Sequence, residues 1–445
     1  MKQSDVIELA TDRLIPLWTK ERERQIKLKD WADGKHDKPY KPTEATREYE
    51  ELQNKAVTPL IGLIVRVIRQ GIEIVDYQPG IPELHDPLWA IWNANRMGGR
   101  QKRLWRSVLT GGIGYALALP GTNGPAIKLY SGKNMIAVYQ DAEADEWPMF
   151  AAEGTKADAS HYHFNIYDEA CQYTLQMNAD GGDVQFIEEK THGTGVVPVV
   201  RYLADTDDEG NVTGEVEPLI PIQASVDQSK FDLLMTQSFA SFKIRYASGM
   251  ATPENEEEAA RIKLILAQDR ILVSDNPATK FGTLDGTELT GYIEAGKASK
   301  QELASVAQVS PKAIVGAQAN TSNGAEAQSA DEASTMRKIH DHTGSFGESN
   351  GQLNRLVGQI AGLEGAWDDY AGVTVFRDSA IRSLAQVADA IGKLADPKLG
   401  IPKEALWAML PDVTPDTVRA WKKMDKSSPL GALVNGLYGD DADGA

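Results

Sequence analysis

Cysteine is nearly missing from this chain of 445 residues, since Cys171 is its only example. An intrachain disulfide and a metal cage of cysteine ligands are therefore excluded. Long apolar runs are missing too. The most apolar stretch, 59–68, contains Arg66 and is about half as long as a membrane span requires. The first residues lack the basic start and apolar run of a signal peptide, so we expect no membrane or secretory targeting.

Positive charge is the third shortage, with 46 Lys and Arg against 64 Asp and Glu and a net charge of −18. Tight binding of nucleic acid in a basic groove needs Lys and Arg to neutralise phosphates, so this function is disfavoured. A surface past which nucleic acid slides remains compatible with the charge. The content of 42% hydrophobic and 25% charged residues is typical of a soluble folded protein.

The spacing of apolar residues predicts helices and strands in separate blocks, which defines an α+β fold. Helical spacing covers 1–30, 44–55, 60–68 and 86–109. From 113 to 203, short alternating runs separated by turn residues predict a module of mostly antiparallel strands.

The second half of the chain reads differently. The acidic segment 204–217 contains no base and is predicted to be a loop. An unbroken pattern from Ile222 to Ser248 predicts one long helix, which at 1.5 Å per residue measures roughly 40 Å. A small α/β insert is predicted over 250–296, with a short helix at Ala259–Ala267 and strands at Arg270–Ser274 and Lys280–Leu284. The remaining predicted elements are a helix over 298–309, a long helix over 325–363, a strand at Val373–Phe376, helices over 379–435 and a disordered acidic tail at 439–445.

A search for catalytic chemistry returns no site. The segment from Gly291 to Lys297 has the spacing of a phosphate-binding loop, but Ala298 stands where Ser or Thr would hold Mg²⁺. A turn into a helix is the favoured interpretation. His161 and His163 alternate on a predicted strand, whereas His340 and His342 point in different directions on a helix and are not expected to share a metal. We therefore predict no catalytic residue, no metal and no cofactor.

The order of these parts resembles that of the portal proteins of tailed bacteriophages, in particular the siphophage portal family. No single motif is specific; the order and spacing carry the resemblance. The stretches that resemble the family are Asn95–Leu119 with its basic helix, Gly193–Tyr202 with the acidic loop after it, Pro218–Asp232 running into Ile244–Tyr246, and Ser310–Ala327 with the long helix after it.

The resemblance implies a phage portal fold and a ring-forming subunit that is not an enzyme. Twelve copies would form a ring at one capsid vertex, through which double-stranded DNA is packaged and ejected. The implied partners are the terminase large subunit, the major capsid and scaffolding proteins, the head-completion adaptor and the DNA in the tunnel, with no membrane. The implied location is the virion, after assembly in the host cytoplasm.

The resemblance also divides the chain into named parts. These are an α/β wing (1–216), a stem helix (217–249), a small α/β clip (250–296), a second stem helix (297–310), a tunnel loop (311–324), a long wing helix (325–365) and a helical crown with a disordered acidic tail (366–445). The second stem helix is short for a stem unless it begins before Gly296.

Three sets of candidate residues follow from these parts. The tunnel loop would meet DNA through Lys312, Gln318, Asn320, Thr321, Ser322 and Asn323, because amides and hydroxyls bind phosphate oxygens without adding charge. Sparse guiding cations on the stem would be Lys230, Lys243 and Arg245, for which a salt bridge between subunits is the alternative. The acidic clip would present Glu254, Glu256, Glu257 and Glu258 to protein partners.

Two other functions stay open on the sequence alone. The segment from Gly291 to Lys297 leaves a nucleotide-hydrolysing packaging enzyme as an alternative. Another oligomeric virion component, such as a tail or baseplate protein, is the second alternative, because the shared order of parts does not by itself exclude it.

Overall fold

The structure of the chain is a computed structural model. It describes residues 1–41, 47–178, 181–240, 245–248, 280–283, 288–316, 325–378, 384–407, 409–410, 413 and 415–427.

Helices account for most of the described chain outside its middle third. A π-helical turn at Ala10–Leu14 joins the first two helices. The helices are α1 (Gln3–Leu9), α2 (Ile15–Asp33), α3 (Arg47–Ala56), α4 (Leu60–Gln70), α5 (His85–Ala94), α6 (Met97–Gly111), α7 (Ile220–Ala240), α8 (Thr290–Val306), α9 (Pro311–Val315), α10 (Ala325–Ile360), α11 (Leu384–Leu394), α12 (Lys403–Trp407) and α13 (Pro415–Ser427). No described helix has the length and apolar character to cross a membrane.

The strands pair antiparallel throughout the described residues. The larger sheet has the order β4-β5-β6-β7-β8, a second has β3-β2-β9, and the pairs β1-β14, β10-β11 and β12-β13 are separate. The strands are β1 (Ile74–Gln78), β2 (Ile113–Gly121), β3 (Gly124–Ser131), β4 (Met135–Val138), β5 (Phe150–Lys156), β6 (His161–Tyr167), β7 (Cys171–Asn178), β8 (Gln185–Thr191), β9 (Val199–Leu203), β10 (Asp205–Thr206), β11 (Val212–Thr213), β12 (Arg245–Ser248), β13 (Lys280–Thr283) and β14 (Val373–Phe376).

The chain divides into two compact units. Unit 1 comprises Met1–His36, Pro59–Gln223 and Gln301–Ala445, and unit 2 comprises Asp37–Thr58 and Ala224–Lys300. The chain therefore leaves unit 1 through α7 and returns to it through α8. The described residues of Asp37–Thr58, which the family resemblance assigns to the wing, belong to unit 2.

One core of unit 1 lies between the N-terminal helices and the five-stranded sheet. Trp18 of α2 packs edge-on against Phe164 and Tyr162 of β6, with ring centroids 5.8 and 5.6 Å apart. Gly154 of β5 lies directly beneath the indole, where a Cβ atom would come within 2.3 Å of the Trp18 ring. The close approach of ring and strand therefore requires glycine at this position.

A second core of unit 1 joins α6, β9 and α10 through Trp105. Its buried indole stacks on Phe346 of α10 at 4.8 Å and meets Tyr202 of β9 edge-on at 5.6 Å. The indole N–H donates to Gln101 Oε1 at 3.2 Å, so no polar atom of the side chain is left unpaired. Gly112, with φ of +85°, ends α6 in the left-handed conformation and turns the chain into β2.

The last described helix is tied to unit 1 through a buried carboxylate. Asp76 of β1 is fully buried and accepts hydrogen bonds from Arg419 of α13 at 3.1 and 3.3 Å. His85 Nε2 lies 2.9 Å from the same carboxylate. Part of the segment predicted as a crown therefore packs against the strand pair β1-β14.

The α+β class predicted from the sequence is confirmed. The strand-rich module, the helix over 325–363 and the strand Val373–Phe376 also appear where the pattern predicts them. The strand predicted at Lys280–Leu284 is present as β13. The predicted strand at 270–274 and the short helix before it lie outside the described residues.

Three local predictions are wrong. The helix predicted over Ile222–Ser248 does not extend to Ser248, because Arg245–Ser248 form β12, which pairs with β13. The helix predicted over 298–309 begins earlier, at Thr290, because Gly291 and Gly296 lie within a helix instead of ending one. The acidic loop 204–217 contains the short hairpin β10-β11, since the Asp207 carboxylate accepts hydrogen bonds from the backbone N–H groups of its own turn.

We predict that Trp105→Ala destabilises the protein by about 3–5 kcal/mol, because it removes a buried ring that touches three elements and leaves a cavity. The measurement is the free energy of unfolding by urea titration. Leu17→Ala, on an exposed side chain of α2, is the control and should change the value by less than about 0.5 kcal/mol. Similar losses in both variants would contradict the assignment of Trp105 to a core.

Candidate functional site

The two segments that connect α7 and α8 to unit 1 meet on one helix, α10. The outgoing segment contains Glu215, five residues before α7 begins. The returning segment contains Ala307 and Ser310, which follow α8. Side chains of α10 bind both segments. The part of the chain that leaves unit 1 through α7 and returns through α8 is therefore attached to unit 1 at α10.

The outgoing segment is held by two bonds to one buried carboxylate. Lys338 Nζ lies 2.5 Å from Glu215 Oε2, and His342 Nε2 lies 2.9 Å from Glu215 Oε1. Glu215 and His342 are both buried. Each carboxylate oxygen therefore has its own partner on α10.

The returning segment is held by the same helix. Lys338 Nζ also donates to the Ala307 carbonyl at 3.1 Å, just beyond the end of α8. The backbone N–H of Ser310 donates to the buried Thr335 Oγ1 at 3.0 Å. Lys338 is thus bonded to both connecting segments at once.

Helical periodicity explains why three side chains of α10 act together. Thr335, Lys338 and His342 are spaced by three and then four residues, which places them on one face of a helix. Ile339 and Phe346, both buried, complete the inward side of this face. We call Glu215, Thr335, Lys338 and His342 the anchor cluster.

Electrostatics favour the ionised form of Glu215. Burial by itself raises the pKa of a carboxyl group, but the hydrogen bond from His342 and the charge of Lys338 outweigh burial and lower the pKa of Glu215 below its ordinary value. A buried carboxylate without these partners would be costly. The bonds of Glu215 to His342 and Lys338 are therefore required for its burial in the segment before α7.

A second set of contacts fixes the same outgoing segment from α2. Arg24 donates to the Val212 carbonyl at 2.8 Å and to Glu217 Oε2 at 2.6 Å. The backbone N–H of Glu215 donates to the Leu109 carbonyl at the end of α6. The root of α7 is consequently bonded to α2, α6 and α10.

The contacts of the anchor cluster indicate a structural role. Each oxygen of its carboxylate is bonded to a side chain of α10. Across the residues that the structure describes, no group of three or more His, Cys, Asp or Glu side chains is placed to hold a metal ion. His161, considered above as a ligand, lies 2.9 Å from the Asp158 carboxylate at the start of β6.

Comparison with known proteins identifies the family. The chain matches the family described as "Phage portal protein, SPP1 Gp6-like" over residues 11–428. The chain belongs to this family. It is thus a portal protein, a structural component of the virion and not an enzyme.

Solved structures with similar chains come from a phage-like particle. A chain of the "Virion of native gene transfer agent (GTA) particle" is 12% identical, with a TM-score of 0.47, covering 82% of this portal protein and 96% of that chain. A chain of the "Neck of native GTA particle computed with C12 symmetry" is 11% identical, with a TM-score of 0.48, covering 84% and 97%. The comparison with curated proteins finds none that matches.

The predicted stem cations of this portal protein fall in different places. Lys230 lies on α7, half-buried, and donates to Thr58 Oγ1 at 2.7 Å. Burial lowers its pKa, nearby Asp227 opposes this and nearby Lys300 adds to it. Arg245 lies on β12 opposite Thr283, so its placement on the long helix is wrong. Lys243 lies outside the described residues.

The predicted tunnel loop is only partly described. Lys312 lies in α9, a single helical turn opened by Pro311, so the segment 311–324 begins with a helix where a loop was predicted. Pro311 occupies the first helical position, where a missing N–H costs nothing. The remaining loop residues lie outside the described residues: Gln318, Asn320, Thr321, Ser322 and Asn323. So do the predicted clip residues Glu254, Glu256, Glu257 and Glu258.

The segment with phosphate-loop spacing is part of a helix. Gly291 and Lys297 both lie in α8, which runs unbroken through Thr290–Val306. A phosphate-binding loop cradles its ligand with backbone N–H groups that precede a helix. Beyond the first turn of a helix those N–H groups are bonded to carbonyls, so the segment is no phosphate-binding loop, and the turn predicted there is replaced by helix.

Sequence reasoning missed the anchor cluster. Glu215 was grouped with exposed acids of the segment 204–217, although it is buried. The sequence of α10 does contain an indication of this cluster, because Lys338 and His342 interrupt the apolar face of the helix at helical spacing. A base on the inward face of a helix indicates a buried acid elsewhere in the chain.

We predict that Glu215→Gln lowers the free energy of unfolding at pH 7 by about 3 kcal/mol, because it leaves Lys338 with an uncompensated charge in a mostly buried position. The pKa of Glu215 is lowered in the folded state, so its stabilisation is present above its ordinary pKa of 4.5 and is lost as the pH falls through the folded value. The difference between wild type and variant should therefore shrink below pH 4.5.

The measurement is urea unfolding at several pH values. Glu209→Gln, on an exposed acid of the β10-β11 turn, is the matched control and should stay within about 0.5 kcal/mol of wild type. A difference between Glu215→Gln and wild type that persists unchanged at pH 3.5 would contradict this account.

Proposed function

We propose that this portal protein assembles as a ring of twelve copies at one capsid vertex, through which double-stranded DNA enters and leaves the head. The observation that carries the proposal is the family match, which extends over residues 11–428 and so includes both units. The absence of a catalytic constellation among the described residues is compatible with a passive conduit.

The negative net charge of the chain supports a conduit that does not bind DNA tightly. A chain of net charge −18 gives a ring of twelve copies a charge of −216. Each phosphate that a protein neutralises with Lys or Arg adds affinity for DNA, and therefore friction. A mostly acidic wall with few cations would let the duplex slide.

The segment between α9 and α10 is the proposed contact with moving DNA. Its residues are small, amide-bearing or hydroxyl-bearing over most of 316–324, so they would bond phosphates without added charge. Three members of the anchor cluster, Thr335, Lys338 and His342, lie on α10, which follows this segment. A contact with DNA here would therefore be carried by a helix that is bonded to the roots of both α7 and α8.

The proposed partners follow from the same role. The acidic insert 250–296 would dock the terminase large subunit during packaging and the head-completion adaptor afterwards, since like charge on its surface disfavours DNA there. The wing would contact the major capsid and scaffolding proteins. Assembly would take place in the host cytoplasm, before the head is filled.

The enzymatic alternative has lost its only motif, because the Gly291–Lys297 segment lies within α8. We expect no ATP hydrolysis by the purified chain above the rate of a buffer blank. Turnover by the chain alone would overturn the portal proposal. A tail or baseplate protein would form particles of a different shape from a portal ring, and imaging of the purified protein distinguishes the two.

We predict that purified protein, imaged by electron microscopy, forms closed rings with a central hole at least as wide as a DNA duplex. A ring built from identical head-to-tail contacts closes with rotational symmetry. Solid discs, sheets or fibres, or rings too narrow for duplex DNA, would contradict the proposal.

We predict that Lys312→Ala leaves ring assembly intact and reduces packaging of full-length DNA, because it removes a cation from the proposed tunnel segment. The measurement is the yield of full-length packaged DNA in particles built with the variant. Lys20→Ala, on an exposed position of α2, removes the same charge elsewhere and should package normally. Equal packaging by both variants would remove Lys312 from the DNA contact.

A further inference from the structure

The basic residues of this acidic chain are unevenly distributed. Residues 87–140 contain seven Lys and Arg and no Asp or Glu, in a chain of net charge −18. Four of the seven lie at the first half of α6 or at its N-cap: Arg96, Arg100, Lys102 and Arg103. We call these four residues the basic face.

Among the described residues, no carboxylate forms an ion pair with the basic face. Arg96, Lys102 and Arg103 are exposed, and Arg100 is half-buried. In the described part of the chain, the guanidinium groups of Arg100 and Arg103 donate only to backbone carbonyls, those of Asn95 and Leu129. Burial and the neighbouring charge of Arg103 lower the pKa of Arg100, as expected for a cation without a carboxylate partner.

The backbone at the basic face has features that folding does not require. Gly98 and Gly99 lie in the first turn of α6, and a Cβ atom added to either would meet nothing within 4 Å. Glycine in a helix is less stable than alanine, so internal packing does not explain the pair. Arg96 has a left-handed backbone with φ of 55°, which is uncommon for a residue with a side chain. Bare glycines on an exposed face permit close approach by another backbone.

The opposite charge is concentrated on a second exposed feature of unit 1. The hairpin β10-β11 presents Asp205, Asp207, Asp208 and Glu209, all exposed. Hydrogen bonds from Asn211 lower the pKa of Asp207, so this side chain is an anion at neutral pH. We call these four residues the acidic hairpin.

The two features lie at opposite ends of α6. The acidic hairpin adjoins the C-terminal end, where the Glu215 N–H donates to the Leu109 carbonyl and the Cβ position of Gly112 is 2.8 Å from Val212. The basic face lies at the N-terminal end, about 20 Å away at 1.5 Å per residue. The two surfaces are therefore too far apart to pair within one copy.

We infer that the basic face of one copy binds the acidic hairpin of the next copy in the ring. This inference rests on the proposed ring. A closed ring of identical subunits needs two different, complementary surfaces on each copy, which these features supply. Copies of net charge −18 repel one another, so a stable contact must bring unlike charges together. Duplex DNA would have to approach the same face against the repulsion of the whole ring, so a second copy is the favoured occupant.

Charge reversal tests the contact from both sides. The base-reversed variant is Arg96→Glu with Lys102→Glu, and the acid-reversed variant is Asp208→Lys with Glu209→Lys. Each alone should raise the concentration needed for ring formation by about tenfold or more, because like charges then face each other. The readout is sedimentation velocity over a series of protein concentrations, with circular dichroism to show that each variant is folded.

Mixing the two reversed variants gives the sharpest result. In an alternating ring every reversed face would meet a reversed hairpin and every native face a native hairpin, so an equimolar mixture should form rings near the wild-type concentration. Arg13→Glu with Lys20→Glu, on exposed positions of α1–α2, is the control for net charge and should assemble like wild type.

The glycines provide an independent readout. Gly98→Ala with Gly99→Ala should raise the thermal unfolding midpoint, because alanine favours the helix, and still weaken ring formation by obstructing close approach. A variant that is more stable and assembles normally would count against the role of these glycines in the contact.

The outcomes separate this inference from the proposed ring. Wild-type protein that forms no ring at any concentration would overturn the ring itself. Wild-type rings with normal assembly of both reversed variants would overturn only this contact. If assembly is normal and the base-reversed variant alone loses binding to a short DNA duplex, the basic face belongs to DNA.

Discussion

A carboxylate that is buried in the fold must be neutralised there, and the connection between the two parts of this chain depends on how Glu215 meets that requirement. Its two oxygens bind Lys338 and His342, both on α10. Since Lys338 also binds the Ala307 carbonyl, the neutralising cation holds the returning segment together with the outgoing one. Both connecting segments are thereby fixed to α10 within unit 1.

Element types were largely accessible from the sequence, because apolar periodicity reports which face of a helix or strand is buried. The strand module and α10 are examples. The strand β12 was not, since Arg245–Ser248 follow the helical pattern without a breaker and pair as a strand only because β13, more than thirty residues away, is available. The anchor cluster could not be predicted from the sequence for a related reason. Burial of Glu215 results from long-range packing, while its sequence neighbours are exposed acids.

In the proposed ring, the charge of this chain would have two opposing effects. A negative total would keep DNA from adhering to the ring, but it would also drive copies of the subunit apart. Local concentration of positive charge at one end of α6, away from the acidic β10-β11 turn, would satisfy both demands. The total would stay negative, and unlike charges would meet where copies touch. A uniform distribution of the same 110 charged residues would not achieve this.

The bonds of Lys338 also have a consequence for how the sequence of this chain can diverge in evolution. One ammonium group reaches both Glu215 and Ala307, so the two ends of the intervening segment lie within a few ångströms of each other. A segment whose ends are this close can be lengthened, shortened or exchanged while the surrounding core is left as it was. We therefore expect the part of the protein that lies in unit 2 between 224 and 300 to be able to diverge to suit a new partner, provided that the anchor cluster is kept.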